Sequence, residues 1–322
     1  MKKFDLVNAT TVAGAVSALG TGNAKVIAGG TDLLTVMKDR IRPTYPEKLV
    51  NIKTIPGLDY IKEELFEGVS SSHWTLKIGA LTTLSDITDD STIKSKYTAL
   101  AQAARAVATP QIRSMGTIAG NLCQEVRCWY YRAPKNYFYC FLKGGLLCFA
   151  ATGDSRYNAI IGGKVCFSAC PSDTAIALGA LNATIVTNKR DIPIGDFFGV
   201  GVNVLEDDEI VTEVRVPEPK SGTKQAFTKF RLRKAIDFAI ASVATAITVV
   251  GRTVTAARIV LGGVAPLPYR AVAAEDALKG NAISESVAEA AGAAAVKDAF
   301  PLANNAYLVP ITKTLVKRAI LA

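Results

Sequence analysis

One histidine is all that the 322 residues contain. It is His73, in the polar run Ser-Ser-Ser-His-Trp, where a solvated loop residue is expected. A Ser-His-Asp triad or a paired-carboxylate constellation cannot be built around it, and a surface role is expected over a catalytic one. Long apolar runs are missing too. The longest, Phe238 to Val250, is too short to span a bilayer and is followed by Arg252. Met-Lys-Lys-Phe-Asp at the start has no apolar stretch behind it, so a signal peptide is not expected and a cytoplasmic protein is. Charge of one sign is only in modest excess, with 37 basic against 28 acidic residues. The bases are spread along the chain without a basic helix or recognition motif, which sets nucleic acid aside. Cysteine is absent from the first 122 residues and from the last 152.

What is present is concentrated accordingly. Cys123, Cys128, Cys140, Cys148, Cys166 and Cys170 are all the cysteines of the chain. In a reducing compartment they favour metal ligation or buried thiols over disulfides. Seven of the 24 aromatics fall between Trp129 and Phe141, and Gly144-Gly145 and Gly162-Gly163 punctuate the same insert. The aromatics suit a dry shell around a metal cluster and suit equally well the insert's own small core. A lone cysteine is more often a small buried hydrophobe, and structural zinc also takes four cysteines.

The length predicts two or three structural units, and 49% apolar residues exclude disorder. Helical periods are expected over 11–19, 33–38, 87–108, 173–181, 284–299 and 309–321. Strands are expected over 25–28, 49–52, 75–81, 184–186, 210–216, 226–233, 239–250 and 257–262. Pro217-Glu218-Pro219 marks a boundary between residues 1–215, in lobes of about 1–53 and 54–215, and residues 216–322.

Two segments suit a nucleotide. Lys25-Val26-Ile27-Ala28-Gly29-Gly30-Thr31-Asp32-Leu33 reads as strand, glycine turn and helix start, where backbone amides can approach a phosphate. It is neither a Gly-x-Gly-x-x-Gly fingerprint nor a Gly-Lys-Ser phosphate loop. Taken alone it is also an ordinary tight turn. The second segment, from Thr109 through Ile112, Ser114, Gly116, Thr117, Ala119 and Gly120 to Asn121, reads as a loop of small residues with side-chain donors.

Together these segments make the chain similar to the FAD-binding subunit of the molybdenum hydroxylases, the xanthine dehydrogenase family. That family carries an Ala-Gly-Gly-Thr-Asp-Leu-Leu-type loop and an Ile-Arg-x-x-x-Thr-Ile-Gly-Gly-Asn-type loop at this spacing; Ala119 replaces one glycine of the second. Cys-Pro-Ser-Asp at 170–173, Lys229 in Phe-Thr-Lys-Phe-Arg, Asp237, and Leu315 to Ala319 extend the resemblance over the full length. It implies a mixed α/β (α+β) fold: a two-lobed FAD-binding domain of the vanillyl-alcohol-oxidase (PCMH) type, then an α/β domain like the C-terminal domain of the CO dehydrogenase flavoprotein. FAD pyrophosphate is expected on 29–32 and 116–121, with Thr82 and Thr83 adding hydroxyls, Ile210 in the site, and Asp173 and Lys229 beside the isoalloxazine or ribityl chain.

The resemblance also implies partners: a large subunit with molybdopterin (molybdenum or tungsten), a small subunit with two [2Fe–2S] clusters, and a dimer of such heterotrimers. The insert, about 123–170, looks like the extra segment of the 4-hydroxybenzoyl-CoA reductase type and of some bacterial aldehyde oxidoreductases, which holds a [4Fe–4S] cluster. Cys128, Cys140, Cys148 and Cys166 are the expected ligands, with Cys170 as the rival of Cys166 and with zinc, or no metal, as the competing occupancy. Arg127, Arg132, Lys135 and Lys143 are expected to form a basic patch that docks an acidic ferredoxin or flavodoxin. The alternatives are an FAD subunit serving NAD or a quinone, and a zinc-stabilised nucleotide-binding module without a redox role.

Overall fold

The computed structural model describes residues 1–67 and 72–322, without the side chains of residues 66, 67, 72 and 73. Its first unit is a small parallel sheet. β1 (Asp5–Asn8), α1 (Val12–Leu19), β2 (Ala24–Ile27), α2 (Leu33–Lys38) and β3 (Lys48–Asn51) follow in chain order, and the sheet runs β1-β3-β2. α1 starts where Thr11 Oγ1 accepts from the Gly14 amide at 3.0 Å, and it buries Ala15 and Leu19 in the core that includes Val50 of β3.

An antiparallel sheet forms the second unit. β4 (Ile61–Glu67) and β5 (Ser72–Gly79) precede α3 (Leu84–Asp89), α4 (Ser91–Lys96), α5 (Thr98–Ala106), α6 (Pro110–Arg113), α7 (Ile118–Leu122), α8 (Trp129–Arg132) and α9 (Asp173–Ala180). Then come β6 (Thr184–Thr187), β7 (Asp191–Pro193), the short pair β8 (Phe198–Gly199) and β9 (Val202–Asn203), and β10 (Val211–Pro217). The sheet order is β4-β5-β10-β6-β7. Leu76, Ile78, Ile185, Val214 and Val216 present its buried face to Leu84, Ile87, Tyr97, Leu100 and Leu178 of the helices. His73 falls on β5 rather than in a loop; its side chain lies outside the described residues.

Two sequence expectations change here. The stretch expected to be mainly helical over 87–108 begins at Leu84 and breaks into three helices. Asp90 ends α3 and caps α4, accepting from the Ile93 amide at 2.8 Å. The stretch expected as a loop over 109–121 contains two helices of four and five residues. Thr109 caps α6 ahead of Pro110, and Thr117 caps α7 by accepting from the Gly120 amide at 3.1 Å.

β11 (Thr223–Phe230), β12 (Ala241–Val250), β13 (Thr253–Gly262) and β14 (Tyr269–Arg270) make an antiparallel meander in the third unit. α10 (Val272–Leu278), α11 (Glu285–Ala295) and α12 (Leu308–Leu321) pack on one face. α9 packs on the other, through Ile176, Ala177 and Ala180 against Phe227, Ala244 and Val260. Every residue of α9 is buried, because its remaining side faces the core of the second unit. A Cβ on Gly179 would stand 3.3 Å from Val260 Cγ1, a tight contact, so glycine here eases the close packing of the helix on the sheet.

Between α7 and α9 the cysteine-bearing insert has no long element. Val126, Tyr131 and Cys140 pack on Val36 and Ile41, next to α2. At its far end the amides of Ile160 and Ile161 both donate to Val264 O, joining the insert to the third unit. Among the described residues no helix is long and apolar enough to cross a membrane.

Candidate functional site

The two glycine-bearing segments meet. A Cβ on Gly29 would lie 1.9 Å from Met115 O and 2.7 Å from Met115 C, so only glycine lets the turn after β2 rest on the chain between α6 and α7. Gly30 adopts φ +70°, in the left-handed region. The second segment is tied in place by Leu84 N donating to Gly116 O (2.9 Å) and Ile118 N to Thr82 O (2.9 Å). These loops line a cavity of ≈ 530 Å³, whose far wall runs from Phe198 to Val211.

Lys25, Val26, Ile27, Ala28, Gly29, Gly30, Thr31, Asp32, Leu33, Thr117, Ala119, Gly120 and Ile210 line this cavity. Other expected site residues stand behind it. Thr82 Oγ1 donates to Tyr60 O (3.0 Å), and Thr83 caps α3. Thr109 caps α6, Ser114 Oγ donates to Pro110 O (2.9 Å), and Ile112 lies on α6 between them. Asn121 is buried, its Oδ1 accepting from Ser172 Oγ and Thr174 Oγ1, both at 2.6 Å.

Asp173 and Lys229 form a buried ion pair at 2.6 Å, and Lys229 also donates to Ala106 O (3.1 Å). Burial raises the Asp173 carboxyl above its ordinary range, while Lys229 pulls it down. Asp173 faces a second cavity, ≈ 460 Å³, lined also by Arg127, Cys128 and Phe238. The two cavities share Cys170, Pro171 and Ser172 as a common wall.

Sequence reading missed the wall from Phe198 to Glu209, of which Glu209 is the best-built member. Its carboxylate accepts from Arg190 Nε and Nη2 (both 2.9 Å) and Thr187 Oγ1 (2.8 Å). The bonds from Arg190 hold it down at about 2. The run Phe197-Phe198-Gly199-Val200-Gly201 was the available signal, with glycines like those of the first two segments and two aromatics besides.

Asp32 is fully engaged by the insert. Its carboxylate accepts from Arg127 Nη2, Arg132 Nη2 and the Glu125 amide, each at 2.8 Å. This corrects the expected basic patch. Arg127 pairs with Asp32 and stacks on Phe238, 4.5 Å from its ring centroid, and burial pulls its guanidinium down to about 10. Arg132 also donates to Val126 O and Glu125 O. Lys143 is buried, and of the four only Lys135 is exposed. The two arginines are drawn inward because Asp32 and the backbone carbonyls of the insert need donors. An Asp32→Ala substitution strands two partly buried guanidiniums, so about 3 kcal/mol of stability should go. Urea unfolding measures it; an unchanged midpoint would assign the insert's anchorage to the Val36–Tyr131 core instead.

The cysteines divide into two groups. Cys123 and Cys170 line the larger cavity, and burial pushes both thiols up to about 12, into the protonated, unreactive range. Cys128 and Cys140 share the small core beside α2. The Cys148 and Cys166 thiols interact, which holds the Cys148 thiol below its ordinary range, while burial first and then Cys148 raise the Cys128 thiol. Cys166 Sγ also lies 3.2 Å from Ser168 Oγ. Among the described residues no three cysteine, histidine or acidic side chains converge tightly enough to hold a metal ion as they stand. In donor chemistry alone, the thiols of Cys128, Cys140, Cys148 and Cys166 are of the type that a soft metal centre takes, and the Lys143 ammonium has no hydrogen-bond partner among the described residues.

The family described as the FAD binding domain in molybdopterin dehydrogenase matches residues 2–128 and 145–219, and the CO dehydrogenase flavoprotein C-terminal domain matches 225–322. Residues 129–144, with Cys140 and Lys143, fall between the matched stretches. The chain is 33% identical to the aldehyde oxidoreductase FAD-binding subunit PaoB of Escherichia coli K12, over 97% of this chain and 96% of the relative. It is 30% identical to the carbon monoxide dehydrogenase medium chain of Hydrogenophaga pseudoflava, over 99% and 96%. A solved carbon monoxide dehydrogenase from that organism superposes with a TM-score of 0.77 at 30% identity, covering 100% of this chain and 97% of the other.

Proposed function

The chain belongs to the FAD-binding subunits of the molybdenum hydroxylases, oxidoreductases of several subunits, and from that premise we propose that it is the flavin and iron–sulfur relay of such an enzyme. FAD binding follows from the family. Its pyrophosphate is assigned to the cavity under Gly29, Gly30, Thr31, Thr117 and Gly120, and its isoalloxazine to the side where Asp173 and Lys229 pair. When bound, FAD supplies the exchange between two-electron and one-electron chemistry. The protein supplies close backbone approach at the glycines, an ion pair and a water-poor wall.

Cys128, Cys140, Cys148 and Cys166 would hold a [4Fe–4S] cluster, supplying one-electron transfer. Cys166 is preferred over Cys170, since its thiol interacts with that of Cys148 while Cys170 lines the flavin cavity. The observation that supports this reading is the second cavity. Cys128 and Asp173 line the same space, so a cluster on the thiols and a flavin beside Asp173 would be neighbours. Residues 1–215 form the FAD-binding domain and 216–322 the C-terminal one, in the cytoplasm. The partners are a molybdenum- or tungsten-pterin large subunit and a [2Fe–2S] small subunit, paired as a dimer of heterotrimers. An external carrier such as ferredoxin or flavodoxin would dock without the basic patch.

Anaerobic purification, a visible spectrum, FAD and iron counts and EPR after reduction test the assignment. One FAD and about four irons per chain are expected, with a reduced-cluster signal lost in Cys140→Ser. FAD without iron leaves the flavin assignment and makes the insert a zinc-binding or metal-free element. That outcome favours the alternative of an FAD subunit serving NAD or a quinone.

A further inference from the structure

Lys143 is a cation buried without a counter-ion among the described residues. Only 5% of its surface is exposed, and its Nζ has no hydrogen-bond partner among the described residues. The ammonium lies 5.5 Å from the centroid of the Tyr131 ring, a contact that offsets only part of the desolvation of a charge. Glu125 is the nearby carboxylate, but it is committed elsewhere: Oε1 to Arg42 Nη2 (2.7 Å) and Oε2 to the Tyr131 hydroxyl (2.6 Å). Tyr131 packs in the same small core as Cys140 and Cys128, so the ammonium over its ring stands on the thiol side of the insert.

The backbone fixes this position. Lys143 N donates to Cys140 O at 2.8 Å and Gly145 N to the same oxygen at 3.0 Å. Gly144 takes φ +92°, and a Cβ on Gly145 would fall 1.9 Å from Tyr139 O. The two glycines close a turn that returns the chain at Lys143 toward Cys140. A lone ammonium kept at this cost needs an anion.

We infer that Lys143 is the charge partner of the thiolate site: its ammonium lies against the anionic centre bound by Cys128, Cys140, Cys148 and Cys166 and raises that centre's reduction potential. The inference rests on the iron–sulfur reading above. A cluster held by four thiolates is negatively charged, and the charge grows by one as one electron enters from the flavin side, with no atom exchanged and the proton kept on Lys143. A fixed cation in a dry site favours the more negative state. Lys143 is thus a positioning and tuning residue.

Full-length protein carrying Lys143→Met or Lys143→Arg tests this in an EPR-monitored redox titration. Lys143→Met should make reduction about tenfold less favourable, ~59 mV lower for a one-electron couple, and Lys143→Arg should keep most of the potential. Unaltered protein labelled with ¹⁵N-lysine should show a nitrogen coupling to the reduced cluster by pulsed EPR, lost in Lys143→Arg. That measurement decides the matter if Lys143→Met fails to fold or to load iron. An unchanged midpoint in Lys143→Met, or an iron-loaded labelled protein without the coupling, overturns the role of Lys143 and leaves the cluster standing. Unaltered protein that binds no iron sinks the cluster reading itself.

Discussion

Replacing Lys229 with methionine should cost the chain about 3–5 kcal/mol, and the loss should deepen as the pH rises. The side chains of Lys229 and Asp173 are 4% and 5% exposed and stand 2.6 Å apart. Removing the ammonium leaves a carboxylate in a site with almost no water, and the carboxylate answers by taking up a proton. Asp173 already has a raised pKa through burial, and Lys229 is the largest influence holding it down. In Lys229→Met the folded-state pKa therefore climbs further above the unfolded value of about 3.9. A carboxyl shifted upward favours the fold below the unfolded pKa and loses that contribution as pH rises through the folded pKa. The variant should be closer to the unaltered protein at pH 5 than at pH 8 in chemical denaturation. Adding Asp173→Asn removes the charge and should recover much of the loss at pH 8. A deficit that stays flat with pH would mean that methionine is misfitting sterically and that the ion pair is not the cause.

Gly29→Ala should weaken FAD binding by about 100-fold, ~2.8 kcal/mol. The added methyl meets backbone, not the end of a flexible side chain: Met115 O at 1.9 Å and Met115 C at 2.7 Å. The two loops of the larger cavity must then separate, and part of the stability goes with them. Gly195→Ala is the control, because a Cβ there meets nothing within 4 Å and the residue has an ordinary φ. Titration of flavin-free protein with FAD, followed by flavin fluorescence, distinguishes the two. A Gly29→Ala dissociation constant within threefold of the unaltered value would dissociate the loop contact from the cofactor.

Several of these features can be read along the chain and others cannot. Glycine at 29 and 30 marks close approach wherever it occurs, so the first segment was legible as a nucleotide-type turn. That its neighbour would be Met115, 86 residues on, is a tertiary fact with no local trace. Long strands rich in apolar and β-branched residues, such as Ala241–Val250, announced themselves; β1, four residues with half of them polar, did not. α6 and α7 are too short for a helical period, although Thr109-Pro110 and Thr117 are visible caps in hindsight. Charge was the least legible quantity. Arg127, Arg132 and Lys143 look like surface in a sequence. Two of them point inward because their carboxylate, Asp32, comes from about a hundred residues upstream.

α9 also sets an order of events during synthesis. Its outer face, Ile176, Ala177 and Ala180, is covered by Phe227, Ala244 and Val260, which leave the ribosome 47 to 84 residues later. At about 5–20 residues per second, that apolar stripe stays bare for roughly 4–16 s before Val260 can reach it. Lys229, the counter-ion of Asp173, arrives in the same interval. A nascent chain halted before residue 229 therefore carries an unpaired acid at the head of an uncovered helix. Such a chain is a natural client for a holdase, and its flavin is best delivered after the final strands have closed.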